Sequence, residues 1–223
     1  MTTTDSLQLT EHEILALLAF NDGESTALTR EIFRLTPQAD NEQLTKAGMT
    51  TLLVRGLAEL SDGDLVLKGP TEFIAAVMAT AGDWLEIARV TPERNHVMFA
   101  VASAGGAFVA NANGNGTHGF TPLKNDRPVL KFGLDAAAHY LGDSGLESDG
   151  SGSPGRRPVA AQIKHHGLGV QSKTANLMVD ESGTWQLATG DGDQLAKREV
   201  DRSVALELFE EALELDHDTT GSE

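Results

Sequence analysis

The chain has 223 residues, of which 40% are hydrophobic and 22% are charged. This composition is typical of a globular protein with one large domain or two small ones. The absence of cysteine excludes disulfides, thiolate nucleophiles and thiolate metal sites. With 17 basic and 33 acidic residues the formal net charge is -16, which opposes binding to a polyanion such as DNA unless one face is locally basic.

The two ends of the chain are polar. The start, Met1–Asp5, has neither the basic residues nor the apolar run of a secretory signal. No apolar stretch approaches the roughly 18 residues that a membrane-spanning helix needs. We therefore expect a cytoplasmic protein, with a disordered tail over residues 1–8 and a disordered acidic tail over residues 216–223.

Residues 9–67 predict a winged-helix-like segment, in which three helices are followed by a small hairpin. Thr10 and Glu13 have the spacing of a capping box at the start of the first helix. The helices are expected after Thr10, at 26–35 and after Asp40 or Asn41, and the strands at 58–60 and 65–67. This order of elements is common in DNA-binding proteins.

The next segment combines helices with strands. Pro70 suits the first turn of a helix, which the apolar spacing extends to about Thr80. Residues 84–90 are expected to be an extended lead-in. Three strands are predicted at 96–102, 107–110 and 120–123, followed by a helix at 129–141. Residues 9–142 are thus predicted to form an N-terminal α+β half.

Residues 143–158 are rich in Gly, Ser, Asp and Pro and have no apolar periodicity, which predicts a flexible linker. Residues 159–215 are expected to form a C-terminal βββα half. Its strands are predicted at 159–165, 173–179 and 185–189, and its helix after a cap at Asp201 or Ser203.

The predicted fold class is therefore α+β, with a central antiparallel sheet and flanking helices. Each half has about three strands followed by a helix, which indicates possible quasi-two-fold halves. Two interpretations stay open: a degenerate duplication that forms one continuous sheet, or a coincidence of pattern without common origin.

Gly114–Gly119 matches G-x-G-x-x-G letter for letter. A dinucleotide site would need a helix directly after these glycines, to hold the pyrophosphate at its N-terminus. Here Phe120-Thr121-Pro122 follows and predicts a strand. The segment is therefore interpreted as a flexible hairpin loop, and protruding loops often carry recognition.

The other candidate motifs predict neither a metal site nor a cofactor. His165 and His166 are adjacent on a predicted strand, so one should point inward and the other outward. Asp62-Gly63-Asp64 and Asp191-Gly192-Asp193 lack the later glutamate of a calcium-binding loop and are expected to be turns. No catalytic residue is predicted, and the chain is not expected to be an enzyme.

Several segments together resemble the EspG-type chaperones of actinobacterial ESX (type VII) secretion systems. The first helix of that family is similar to Leu9–Leu18, and its segment ending in Arg-Gly-Leu is similar to Thr51–Ala58. Further similarities lie in the first hairpin at Val97–Ala110, the following strand at Phe120–Leu123 and a late hairpin at Gly183–Trp185.

This resemblance implies a cytoplasmic, non-catalytic chaperone that keeps secretion substrates of the PE–PPE type soluble. It also implies that the loop between the second and third strands contacts the client. By position that loop is Asn111–Gly119. The candidate protein-binding residues in and beside it are Asn113, Asn115, His118 and Phe120.

Two other functions stay open. The first is a winged-helix transcriptional regulator, although its recognition helix over residues 40–57 would offer only Lys46 and Arg55 as basic residues. The second is an acidic immunity protein that masks a basic toxin, since opposite charge speeds association.

Overall fold

The structure is a computed structural model that describes residues 6–39, 41–92, 95–124, 128–143, 158–190 and 195–216. The helices are α1 (Glu11–Leu18), α2 (Glu24–Ile32), α3 (Thr36–Ala39), α4 (Glu42–Val54), α5 (Pro70–Thr80), α6 (Val129–Asp143) and α7 (Ala205–Glu211). The strands are β1 (Leu7–Thr10), β2 (Ala58–Ser61), β3 (Asp64–Leu67), β4 (Ala81–Val90), β5 (Asn95–Ser103), β6 (Gly106–Asn113), β7 (Thr117–Leu123), β8 (Val159–Gly167), β9 (Lys173–Val179), β10 (Trp185–Thr189) and β11 (Ala196–Val200).

A large antiparallel sheet dominates the fold. Its nine strands follow the order β1-β7-β6-β5-β4-β8-β9-β10-β11, while β2 and β3 form a separate hairpin. The predicted α+β class with a central antiparallel sheet and flanking helices is confirmed. Strands from both sides of residues 143–158 belong to this one sheet, whereas a duplication of the two halves stays a prediction.

The chain forms two compact units that interleave along the sequence. Unit 1 comprises Met1–Asp83 and Phe99–Asp126, and unit 2 comprises Trp84–Met98 and Arg127–Glu223. The predicted linker at 143–158 falls mostly on residues 144–157, which lie outside the described residues. The division of the chain at that linker therefore stays a prediction, as do the tails over residues 1–5 and 217–223.

Residues 11–67 of unit 1 contain the three predicted helices as α1, α2 and α4, with the short helix α3 added between α2 and α4, and then the β2–β3 hairpin. The winged-helix-like character of this segment stays a prediction. The capping box is confirmed: Glu13 N–H donates to Thr10 Oγ1 at 3.2 Å, and Thr10 N–H donates to a Glu13 carboxylate oxygen at 2.9 Å. Asn41 caps α4, because its side-chain oxygen accepts from the N–H groups of Gln43 and Leu44. Helices α1 and α4 approach closely at Gly48, where a side chain would collide with the α1 backbone.

The core of unit 1 lies between the helices of this unit and one face of β6 and β7, with Phe73 of α5 beside Gly106 and Phe33 beside Phe120. Strand alternation places Phe108, Ala110, Phe120 and Pro122 on that face, in the register Phe108↔Pro122 and Ala110↔Phe120. The largest fully buried side chains here include Ile14, Leu17, Leu18, Leu35, Leu52, Met78, Phe108 and Phe120.

In unit 2, α6 and α7 pack on the sheet face that carries the apolar residues of β8 and β9. Ala161 and Leu177 are directly opposite and fully buried. Helix α6 approaches this face through Gly133, since a Cβ there would lie 2.7 Å from Leu85 Cδ1. Glycine therefore permits a close helix–sheet contact at this point.

Several expected elements differ from those observed. Leu7 and Gln8 belong to β1 rather than to a disordered tail, because β1 pairs with β7 and buries Leu9 completely. Residues 84–90 are part of the full strand β4 rather than a lead-in, and β11 was not predicted. Strand β11 is an exposed edge with charged residues at 197–199, so it lacks the apolar alternation that marks a half-buried strand.

The cap predicted for the last helix is wrong. Helix α7 has Val204 at its N-cap position, without a side-chain hydrogen bond. The Asp201 carboxylate instead accepts from Ser203 N–H at 2.8 Å and from Ser203 Oγ at 2.6 Å. These bonds close a local turn before the helix, which is the competing conformation that Asp and Ser favour. None of the described helices is long and apolar enough to cross a membrane.

Candidate functional site: a hairpin tip and an adjoining apolar pocket

The candidate site lies on the hairpin of β6 and β7 in unit 1. The loop expected over Asn111–Gly119 is much shorter in the structure, because Asn113 and Thr117 still pair across the two strands. Only residues 114–116 form the turn, with Gly116 at a φ of 72°. A three-residue turn with a left-handed glycine is a common hairpin connection, which explains the glycine-rich sequence without any phosphate site.

Hydrogen bonds hold the tip of this hairpin. Asn113 Nδ2 donates to Gln8 Oε1 at 3.1 Å and to Thr117 Oγ1 at 3.2 Å. Thr117 Oγ1 in turn donates to Asn115 Oδ1 at 2.7 Å. The backbone N–H of Glu11 donates to Gly116 O at 3.2 Å. The turn is thus attached both to β1 and to the start of α1, and its polar side chains are ordered rather than loose.

The four candidate binding residues fall into two groups. Asn113 and Asn115 are exposed at the tip, so they are placed where a partner could reach them. His118 and Phe120 are 5% and 1% exposed, and they point to the helix-covered face of the sheet. Alternation along β7 turns His118 and Phe120 into the core, and a part of these two residues in protein binding stays a prediction.

His118 lies in an aromatic cluster. Its ring centroid is 5.7 Å from that of Phe33 and 6.3 Å from that of Phe99, and these two phenyl rings stack at 4.6 Å. The Nδ1 atom of His118 is buried without a hydrogen-bond partner. Burial lowers the pKa of His118 below its ordinary value, and the nearby Glu11 carboxylate opposes that shift.

Phe120 forms part of the wall of an apolar pocket of about 300 Å³ within unit 1. The pocket lies between the start of α5 and the inner face of the strands. Its lining residues are Leu7, Gly69, Pro70, Phe73, Ile74, Phe108, Phe120 and Pro122. This lining offers no charged group, so the pocket suits an uncharged apolar group rather than a polar substrate.

The two histidines of unit 2 each have a partner within the chain. Both are buried, which corrects the expectation that one would point outward into solvent. His165 Nδ1 lies 2.7 Å from Leu213 O, and His166 Nε2 lies 3.1 Å from Glu86 Oε1. Each ring therefore has its own partner on a different element. Within the described residues, no group of three or more His, Asp or Glu side chains could hold a metal ion.

The structure describes one of the two Asp-Gly-Asp motifs, the one at 62–64. Asp62 and Gly63 have φ values of 54° and 94° between β2 and β3. They form the two central residues of a tight hairpin turn, as the sequence predicts. The motif at 191–193 lies outside the described residues.

The basic residues of α4 and its end are already engaged. Lys46 forms an exposed ion pair with Glu42 at 3.0 Å. Arg55 Nη1 donates to both carboxylate oxygens of Glu13, at 2.8 and 2.7 Å, and Arg55 Nη2 donates to Gln8 O at 2.8 Å. The helix that would enter a DNA groove therefore has both of its basic side chains paired with acids of the same chain.

Sequence reasoning missed several parts of this site. Gln8 and Glu11 contact the hairpin tip only because β1 pairs with a strand about 110 residues later in the chain. The pocket residues come from β1, α5, β6 and β7, and no local spacing relates them. The one readable signal was the alternation of Leu7 and Leu9 with polar neighbours, which is typical of a half-buried strand.

The fold and site define the chain as an α+β protein with a large antiparallel sheet and a polar hairpin tip. No protein-family model matches the sequence, and no curated protein sequence matches it. Among solved structures, the chain is similar to the Mycobacterium tuberculosis type VII secretion system chaperone EspG5, determined in complex with the PE25–PPE41 dimer. The TM-score is 0.49 at 11% identity, over 94% of this chain and 97% of that chain.

Proposed function

We propose that this chain is a non-enzymatic, cytoplasmic binding protein that acts as a chaperone or adaptor for type VII secretion substrates of the PE–PPE type. The proposal rests first on the sequence resemblance of Leu9–Leu18 and Thr51–Ala58 to EspG-type chaperones. These two segments contact each other in unit 1, through the ion pair between Glu13 and Arg55.

The observation that carries the proposal is that the hairpin tip is an ordered turn with exposed amide side chains. By position, this is the loop that the resemblance implies for client contact. Asn113 and Asn115 are exposed there on a turn that is tied to β1 and α1 by hydrogen bonds. Amide side chains both donate and accept hydrogen bonds, and an ordered turn loses little conformational entropy when a partner binds.

The client test is co-expression of the chain with PE–PPE pairs encoded in the same genome, followed by affinity purification and measurement of the dissociation constant. We expect a PE–PPE pair to co-purify and to remain soluble. Asn113→Ala together with Asn115→Ala should weaken that complex at least tenfold, because both amides lie at the expected contact. The buried His118 is left unchanged, so that the core of unit 1 is preserved.

A matched control is Glu181→Ala, which changes an exposed residue in the turn between β9 and β10 of unit 2. It should leave the dissociation constant within about twofold of the parent value. If no PE–PPE pair co-purifies, the client assignment is wrong. If a pair binds but the tip variant and the control bind equally, the tip is not the contact.

A second candidate function, a winged-helix regulator, is favoured only by the order of α1, α2, α4 and the β2–β3 hairpin. The pairing of Lys46 and Arg55 with acids argues against it, because DNA affinity depends on free cations that neutralise phosphates. Gel shifts with promoter duplexes at low salt discriminate the two. We expect no shift, and a shift that disappears as salt rises would favour the regulator.

A further inference from the structure

His118 lies at the base of the hairpin tip. It directly follows Thr117 on β7 and lies opposite Leu9 of β1 and Ala112 of β6. Its ring packs against Phe33 and Phe99, within the described aromatic cluster. The side chain therefore joins the tip, the edge strand β1 and the core of unit 1 at one point.

The surroundings of this ring favour its neutral form. Nδ1 is buried and makes no hydrogen bond, the residues opposite His118 on β1 and β6 are apolar, and the neighbouring rings are those of Phe33 and Phe99. A buried charge without a partner is strongly unfavourable. A cationic imidazolium in this cluster would have to leave it or draw a compensating charge towards it.

Glu11, at the first position of α1, is the charged group that acts on His118. The carboxylate of Glu11 lies beside the turn, since its Oε1 atom would be 3.9 Å from a Cβ on Gly116. The other acid of that helix turn, Glu13, is engaged by Arg55. A protonated His118 would therefore move towards Glu11 and away from the aromatic rings.

We infer that His118 is an acid-sensitive latch, which holds the base of the hairpin tip and β1 while its ring is neutral and loosens them when the ring is protonated. This inference does not depend on the identity of the client. It predicts that the isolated chain loses stability in unit 1 on mild acidification, before the carboxylates of the protein begin to titrate.

The direction of the effect follows from proton linkage. Burial lowers the pKa of His118 in the folded chain, so below about pH 6.5 the unfolded chain binds a proton that the folded chain does not. Stability is unaffected by this group above that pH and falls as the pH decreases towards the folded pKa. Within this window the unfolding constant rises by up to about tenfold for each pH unit.

The first experiment is NMR titration of the His118 ring in the full chain, which needs no variant. We expect the ring to titrate below about pH 6.5. Glu11→Gln should move the titration lower still, because Glu11 favours the imidazolium. A ring that titrates at or above the ordinary value in the folded chain would overturn the inference.

The second experiment compares the unfolding constants of the parent chain, His118→Leu and His12→Gln at about pH 7.5 and about pH 5. Leucine keeps an apolar side chain of similar size, and His12 is an exposed histidine that serves as the control. On acidification, the unfolding constants of the parent chain and of His12→Gln should rise several-fold more than that of His118→Leu. Equal losses in all three chains would show that His118 is not the latch.

Discussion

The guanidinium of Arg55 and the carboxylate of Glu13, which are 42 positions apart, form the central ion pair of unit 1. Glu13 is fully buried, whereas the side chain of Arg55 is 36% exposed. The same two groups also form hydrogen bonds with backbone groups of β1, the edge strand of the sheet. Arg55 donates to Gln8 O at 2.8 Å, and Glu13 accepts from Thr10 N–H at 2.9 Å.

The pairing of β1 with β7 determines which backbone groups of β1 are left for Arg55 and Glu13. Because Glu11 N–H bonds to Gly116 O, the alternation of an antiparallel pair directs the backbone groups of Leu7 and Leu9 towards β7. The backbone groups of Gln8 and Thr10 therefore face away from the sheet. Unpaired groups at an edge invite pairing with another chain, and the Arg55–Glu13 pair satisfies two of them.

Arg55→Met should destabilise the chain by about 3 kcal/mol, because it leaves the buried carboxylate of Glu13 without its cation. The partial exposure of Arg55 lets water replace part of the lost interaction, which keeps the effect at the lower end of the usual range. The measurement is urea-induced unfolding of both chains at neutral pH.

The control for this prediction is Lys46→Met, which removes an exposed partner of Glu42 and should change stability by less than about 1 kcal/mol. The double variant Glu13→Gln with Arg55→Met should be more stable than Arg55→Met alone, since no buried charge remains. Equal decreases in the free energy of unfolding for Lys46→Met and Arg55→Met would contradict the prediction that the buried ion pair stabilises unit 1.

Gly48→Ala should destabilise the chain by about 2 kcal/mol or more, although alanine is the better helix former by about 1 kcal/mol. An added Cβ would lie 1.9 Å from His12 O and 2.5 Å from His12 C, so α1 and α4 would have to separate. Gly142→Ala in α6 meets nothing within 4 Å and should be neutral or stabilising. Thermal unfolding of the two variants checks the prediction, and equal midpoints would refute the close contact.

Tyr140 should ionise above its ordinary pKa of 10.0, because burial raises the pKa more than Arg89 lowers it. The Arg89 guanidinium lies 5.8 Å from the centre of the Tyr140 ring, so Arg89→Met should raise the pKa further. Tyr140 is the single tyrosine of the chain, and tyrosinate absorbance therefore reports it alone. The same titration in denaturing urea should return the ordinary value; an unchanged value on folding would contradict the prediction.

Asp180 should keep its charge to a lower pH than an ordinary aspartate. Its Oδ1 accepts from Ser182 Oγ at 2.5 Å and from the N–H groups of Ser182 and Thr184, each at 2.9 Å, and these bonds lower the pKa of Asp180. The stabilisation is present above the unfolded pKa and is lost as the pH falls through the lower folded pKa. Ser182→Ala removes the largest cause, so carboxyl NMR should show a higher pKa; no change would contradict this assignment.

Local sequence patterns determined most of the elements. Thr10 and Glu13 predicted the start of α1, Asn41 was one of two caps expected for α4, and Pro70 predicted the start of α5. These signals depend on residues within one helical turn, so they can be read without knowledge of the fold. The three strands of the second half were predicted for the same reason, from alternation within each strand.

The candidate site was predicted only in part. Position along the hairpin indicated Asn113 and Asn115 at the tip, which are exposed. It did not separate them from His118 and Phe120, because the exact register of β7 decides which residues face the core.

The sequence by itself determined the α+β class, the caps of the early helices and the glycine-rich turn, since each depends on neighbouring residues. Only the tertiary structure decided that β1 is the edge of the sheet, that Arg55 neutralises Glu13, and that Phe120 is part of a pocket wall. Those relationships join residues 42 to about 110 positions apart. They arise from burial and strand pairing between distant segments, which no local pattern specifies.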